Sequence, residues 1–75
     1  MPKLPRVSGA DTIRALERMG FVRARQRGSH VVLKKTTADG TVGTVIPLHD
    51  ELKTGTLRGL LAQADVEPAE FIKHL

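Results

Sequence analysis

Cysteine is absent from these 75 residues. Disulfide staples and cysteine metal clusters are therefore excluded. Tryptophan and tyrosine are absent as well, and phenylalanine occurs only as Phe21 and Phe71. Proteins that read splayed single-stranded bases stack them on two or three exposed rings, so an RRM-like recognition sheet is disfavoured. No apolar run approaches the roughly 18 residues of a membrane span, and the first residues lack the apolar stretch of a secretory signal. The expectation is a cytoplasmic chain with no membrane role. The length leaves room for one domain over 1–75 with a single thin core, and none for separate cofactor and substrate domains.

Acidic residues are scarce where basic ones are dense. The formal charge is +4. Residues 1–35 carry nine Lys and Arg against Asp11 and Glu17, while residues 36–75 carry three against six acids. A basic, polarised chain aims an anionic ligand, most simply a nucleic acid, at one surface and leaves another free for a second partner. A solvated basic face that serves solubility explains the same charge equally well.

The pattern along the chain predicts helix, three strands, helix, short helix. Ser8 followed by Asp11 forms a capping-box signal, Ile13 and Leu16 recur at helical spacing, and Gly20 supplies a stop, giving a first helix over 9–19. Residues 21–26 change to period two. Arg27-Gly28 reads as a turn, and the β-branched run Ser29–Lys35 as a second strand. Asp39-Gly40 marks a hairpin, 41–46 the third strand, and Pro47 its end. Thr54 is the expected cap of a second helix whose stripe is Leu57, Leu60, Leu61 and Ala64. Pro68 opens a short third helix over 68–74 docked by Phe71, Ile72 and Leu75, and 1–6 is an extended lead-in.

Consecutive strands with short turns give an α+β fold, a three-stranded antiparallel sheet with the helices on one face and the other face in water. If Val31 and Leu33 point to the helices, His30, Val32 and Lys34 point to solvent. Placing Val22 and Ala24 inward likewise sends Arg23 and Arg25 outward, a choice with which Phe21 conflicts.

Three histidines are the candidates for chemistry: His30, His49 and His74. No HxH or HExxH pairing occurs, so a metal site is disfavoured. His30 follows Gly28-Ser29 at a strand start, amid Arg23, Arg25, Arg27, Lys34 and Lys35. An imidazole exchanges protons near neutrality, and RNA carries its own nucleophile in the 2′-hydroxyl. From spacing alone, however, a strand-edge histidine bonded to a backbone carbonyl is the commoner reading. Ser29 similarly fits either a turn-backbone contact or a phosphate contact. Gly55-Thr56 reads as an ordinary helix start before it reads as a phosphate cradle.

Taken together, Gly20-Phe21, Gly28-Ser29-His30, Pro47-Leu48-His49 and the segment Leu52–Arg58 resemble the HicA (YcfA-like) toxins of HicAB toxin–antitoxin systems, over about Ser8 to Ile72. The resemblance implies a double-stranded-RNA-binding-domain-like α-β-β-β-α fold. It implies a metal-independent mRNA interferase without cofactor, with His30 catalytic. The RNA contacts expected beside it, Arg23, Arg25, Arg27, Ser29, Lys34 and Lys35, rest on nearness in the sequence and not on the resemblance. A HicB-like antitoxin would neutralise it by covering that histidine. His49 matches a histidine frequent in the family, without an assigned role. The toxin alone is expected to be monomeric, since the helices show no spare apolar stripe. The competing readings are a non-catalytic duplex-RNA-binding module and a small interaction domain whose basic face meets an acidic protein.

Overall fold

The computed structural model describes residues 3–75. Helix α1 (Gly9–Arg18) is followed by β1 (Val22–Arg27), β2 (His30–Thr37), β3 (Gly40–Pro47), α2 (Thr54–Gln63) and α3 (Pro68–Lys73). The strands form one antiparallel sheet in the order β1-β2-β3. The expected α-β-β-β-α order with a short C-terminal helix is the one observed.

Local chemistry explains most boundaries. At the start of α1 the Ser8 hydroxyl accepts from the Asp11 N–H at 3.0 Å, and the Asp11 carboxylate accepts from the Ser8 N–H at 3.4 Å. Both donors would otherwise be orphaned at a helix start. Hydrogen bonding from Ser8, side chain and backbone, with Arg14 alongside, holds the Asp11 carboxyl below its ordinary value of 3.8. Gly20 ends α1 at φ +98°, letting the Phe21 N–H return to the Leu16 carbonyl at 3.0 Å. Thr54 does not cap α2. Lys53 occupies the cap position, Thr54 is the first helical residue, and no side chain bonds the helix start.

The sheet's inner face is sealed by the helices. Val31, Leu33 and Ile46 are fully buried and meet Ile13 and Leu16 of α1, Leu57, Leu60 and Leu61 of α2, and Phe71 of α3. The single buried side chain on β3 with a polar group, Thr44, donates its hydroxyl to the Leu60 carbonyl at 2.8 Å, so β3 and α2 are tied without an orphaned group. The lead-in before α1 also contributes: Leu4 and Val7 are buried, and the Val7 carbonyl accepts from the Leu52 N–H at 2.8 Å. At the other end the expectation for Leu75 fails, since it stays 45% exposed while Phe71 alone anchors α3 fully.

The first strand departs from the sequence reading. Val22 pairs with Lys34 and Arg23 with Leu33, but Arg25 pairs with Val32, so Ala24 is an extra residue in β1, a β-bulge. Residues opposite each other across a ladder share a face. Before the bulge, Arg23 therefore lies with Leu33 on the helix side and Val22 lies outside, 63% exposed. After it, Arg25 joins Val32 and Arg27 joins His30 on the outer side. The inward placement of Val22 and the outward placement of Arg23 are both corrected. Phe21, buried at the head of the strand, is consistent with this parity.

Candidate nucleic-acid interface

His30 stands at the first position of β2 because a tight turn delivers it there. Arg27 and His30 are directly paired, leaving Gly28-Ser29 as a two-residue loop. Gly28 has φ +58° and Ser29 no positive φ, the pattern of a type II′ hairpin turn with glycine at its first central position. Ser29 thus belongs to the turn rather than to the strand. The Gln26 side-chain amide donates to the Gly28 carbonyl at 3.0 Å and braces the loop.

The outer sheet face reads in three rows: Arg27–His30–Pro47, Arg25–Val32–Val45, and Val22–Lys34–Gly43. His30, Arg25, Arg27 and Lys34 are all exposed, and no acidic residue lies on these rows. A bonded antiparallel pair sets Cα atoms about 5.5 Å apart, so Arg27 is the nearest cation to His30 by backbone position, with Arg25 on the adjacent diagonal about 7–8 Å away. Lys34 is four residues along the strand, about 13 Å from His30. By backbone position Arg27 and Arg25 accompany His30 at one end of the outer face, whereas Lys34 stands towards the other.

Two of the sequence-derived RNA contacts lie elsewhere. Arg23 faces the helix side, its Nε 3.7 Å from the Glu17 carboxylate. Lys35 is half-buried on that side with its Nζ 5.7 Å from the Phe21 ring centroid, a cation–π contact, and its stem passes beside Gly20. Neither shares the surface of His30.

The loop carrying His49 is bound to the same corner. The Leu48 N–H donates to the Ser29 carbonyl at 2.7 Å, and the His49 carbonyl accepts from the Gly9 N–H at 2.8 Å. The start of α1, the end of β3 and the β1–β2 turn therefore meet at one point. Gly9 is required there: a Cβ would lie 2.1 Å from the Pro47 carbonyl oxygen. In the sequence Gly9 reads only as an early helix residue, because a close approach between segments nearly forty positions apart leaves no local signal.

His74 lies apart from this corner, its Nδ1 bonded 2.8 Å from the Glu70 carbonyl. Among the described residues no hydrogen bond occupies the His30 ring, so the backbone-bonded reading of that histidine finds no partner. Among the described residues no group of three His, Asp or Glu side chains is suited to a metal ion, and none of the helices they form is long and apolar enough to cross a membrane.

A family model described as the HicA toxin of bacterial toxin–antitoxin systems matches residues 9–66, from the first residue of α1 to the turn after α2. The chain belongs to the HicA toxin family. The match includes the whole sheet, the Gly28-Ser29-His30 turn and the His49 loop, so a toxin role with an antitoxin as partner follows for this HicA chain. A comparison with curated proteins finds no match.

Proposed function

We propose that this HicA chain is a metal-independent endoribonuclease that cleaves mRNA with His30 as general acid/base, held in check by a HicB-like antitoxin. The observation carrying this reading is the exposed imidazole on a sheet face whose charged neighbours are all cationic. The phosphodiester lies across the β1–β2 turn. His30 either takes the proton of the 2′-hydroxyl as it attacks the adjacent phosphorus or gives one to the departing 5′-oxygen, with water serving the other role. Such proton transfer supplies about 10²- to 10⁴-fold in rate. Arg27 and Arg25 stabilise the extra negative charge of the five-coordinate phosphorus, and the guanidinium fork suits paired phosphate oxygens. Lys34 and the turn residue Ser29 hold the flanking backbone. The products are a 2′,3′-cyclic phosphate and a 5′-hydroxyl.

The deciding experiment compares the wild type with His30→Ala on the same transcript. The variant retains RNA binding but loses cleavage and growth arrest, and wild-type cleavage persists in chelator. A 3′-hydroxyl at the mapped ends rules out 2′-hydroxyl attack. Equal behaviour of the two proteins, with binding and no cleavage, leaves a duplex-RNA-binding module.

A further inference from the structure

The two edges of the sheet are built differently. The β1 edge carries the bulge at Ala24 and three arginines, both devices that discourage a further strand. β3 has neither. Its eight residues, Gly40–Pro47, contain no charged side chain, pair with β2 in unbroken register and meet proline only at the last position. Among the described residues no backbone bond is made on its outer side.

The direction of the free groups follows from the turns. The two-residue connections put Arg27/His30 and Thr37/Gly40 at the closing, hydrogen-bonded positions of their hairpins. Alternation along β2–β3 then makes Thr41, Gly43 and Val45 the residues whose N–H and C=O point away from β2. All three are exposed. Their side-chain positions lie on the outer face, in the rows of Thr36, Lys34 and Val32.

We infer that β3 is a docking edge for an extended, acidic segment of the neutralising partner protein, which adds a fourth antiparallel or parallel strand to the sheet. This identity of the occupant rests on the toxin reading above. Charge selects it over a second copy. The outer face offers Arg25, Arg27, Lys34 and His30 with no acid, so a strand bearing Asp or Glu at alternate positions gains attraction that an uncharged β3 from another copy does not bring. A partner continuing past the edge also covers Val45 and Leu48, 43% and 37% exposed, and lies two strand spacings, roughly 10 Å, from β2 and His30. Main-chain bonds give such an interface affinity, and the alternate side chains give it specificity.

Amide hydrogen exchange on the whole chain, read by NMR, tests this with two synthetic probes: a peptide alternating glutamate with valine, and one alternating lysine with valine. The acidic peptide slows exchange at Thr41, Gly43 and Val45 by about tenfold or more, while the basic one does not. Thr41→Pro removes an outward N–H and no bond to β2, so it weakens peptide binding about tenfold and leaves RNA cleavage unchanged. Three outcomes overturn the inference: no slowing at these amides, equal slowing by both peptides, or slowing that grows with protein concentration in the absence of peptide, which marks a second copy as the occupant. If Thr41→Pro unfolds, the wild-type exchange pattern decides alone. Failure of the nuclease reading shows separately, as a wild type that cuts no RNA while its exchange response to the peptide is intact.

Discussion

Gly9→Ala is expected to destabilise the fold and disturb the candidate site together. The added Cβ would stand 2.1 Å from the Pro47 carbonyl oxygen and 3.0 Å from the Leu48 Cα, both backbone atoms that no rotamer change can move. Relief requires α1 and the Pro47–His49 segment to separate by about 1 Å, which strains a packed contact at about 1–3 kcal/mol. The Gly9 N–H to His49 bond is weakened in the process, at about 0.5–1.5 kcal/mol. Alanine's better helix propensity returns less than about 1 kcal/mol, and little of that at a first helical position. The net loss is about 2 kcal/mol, or roughly 8–16 °C in Tm for a chain of this size. Gly59→Ala is the matched control. Gly59 lies inside α2 with nothing within 4 Å of its added Cβ, so the same change there stabilises by about 0.5–1 kcal/mol. Urea denaturation of the two variants beside the wild type measures both. A Gly9→Ala protein as stable as wild type, or two shifts of the same sign, refutes the close-approach reasoning.

The bulge at Ala24 divides the arginines between the two sheet faces, and a division of function is the expected outcome. Arg27→Ala and Arg25→Ala each lower kcat/KM for RNA by about tenfold or more, in line with loss of one cation from the transition state, whereas Arg23→Ala and Lys35→Ala change it by less than about threefold; steady-state cleavage of one labelled transcript separates the pairs. Binding of single-stranded RNA by His30→Ala should follow log[salt] with a slope that flattens by about 0.7 when Lys34→Ala removes one phosphate contact; an unchanged slope removes Lys34 from the interface. The exposed Arg23–Glu17 pair contributes no more than about 1 kcal/mol, so Glu17→Gln leaves Tm nearly unchanged in a melting experiment. Asp11 is held below its ordinary value of 3.8, so its capping contribution is complete above that pH and is lost as pH falls through the lower folded value. Stability measured between neutral pH and about pH 3 should therefore fall less steeply for Asp11→Asn than for wild type.

Local chemistry in the sequence determined the element order and the outward position of His30. Ser8 with Asp11, Gly20 after Met19, the Gly28-Ser29 turn and the alternation of Val31 and Leu33 each act over a few residues, where backbone geometry and side-chain period leave little choice. The HicA match over residues 9–66 runs through all of these segments apart from Ser8. Tertiary structure alone decided which arginines accompany that histidine. Arg23, Ala24 and Arg25 read as strict alternation, and only the pairing with β2 shows Ala24 to be an extra residue that reverses the face. The same holds for Gly9, whose neighbour is the backbone of Pro47, and for Leu4 and Val7, which complete the core only once the Leu52 loop is in place. A bulge or a close approach depends on what stands opposite in space, and a linear pattern carries no record of that neighbour.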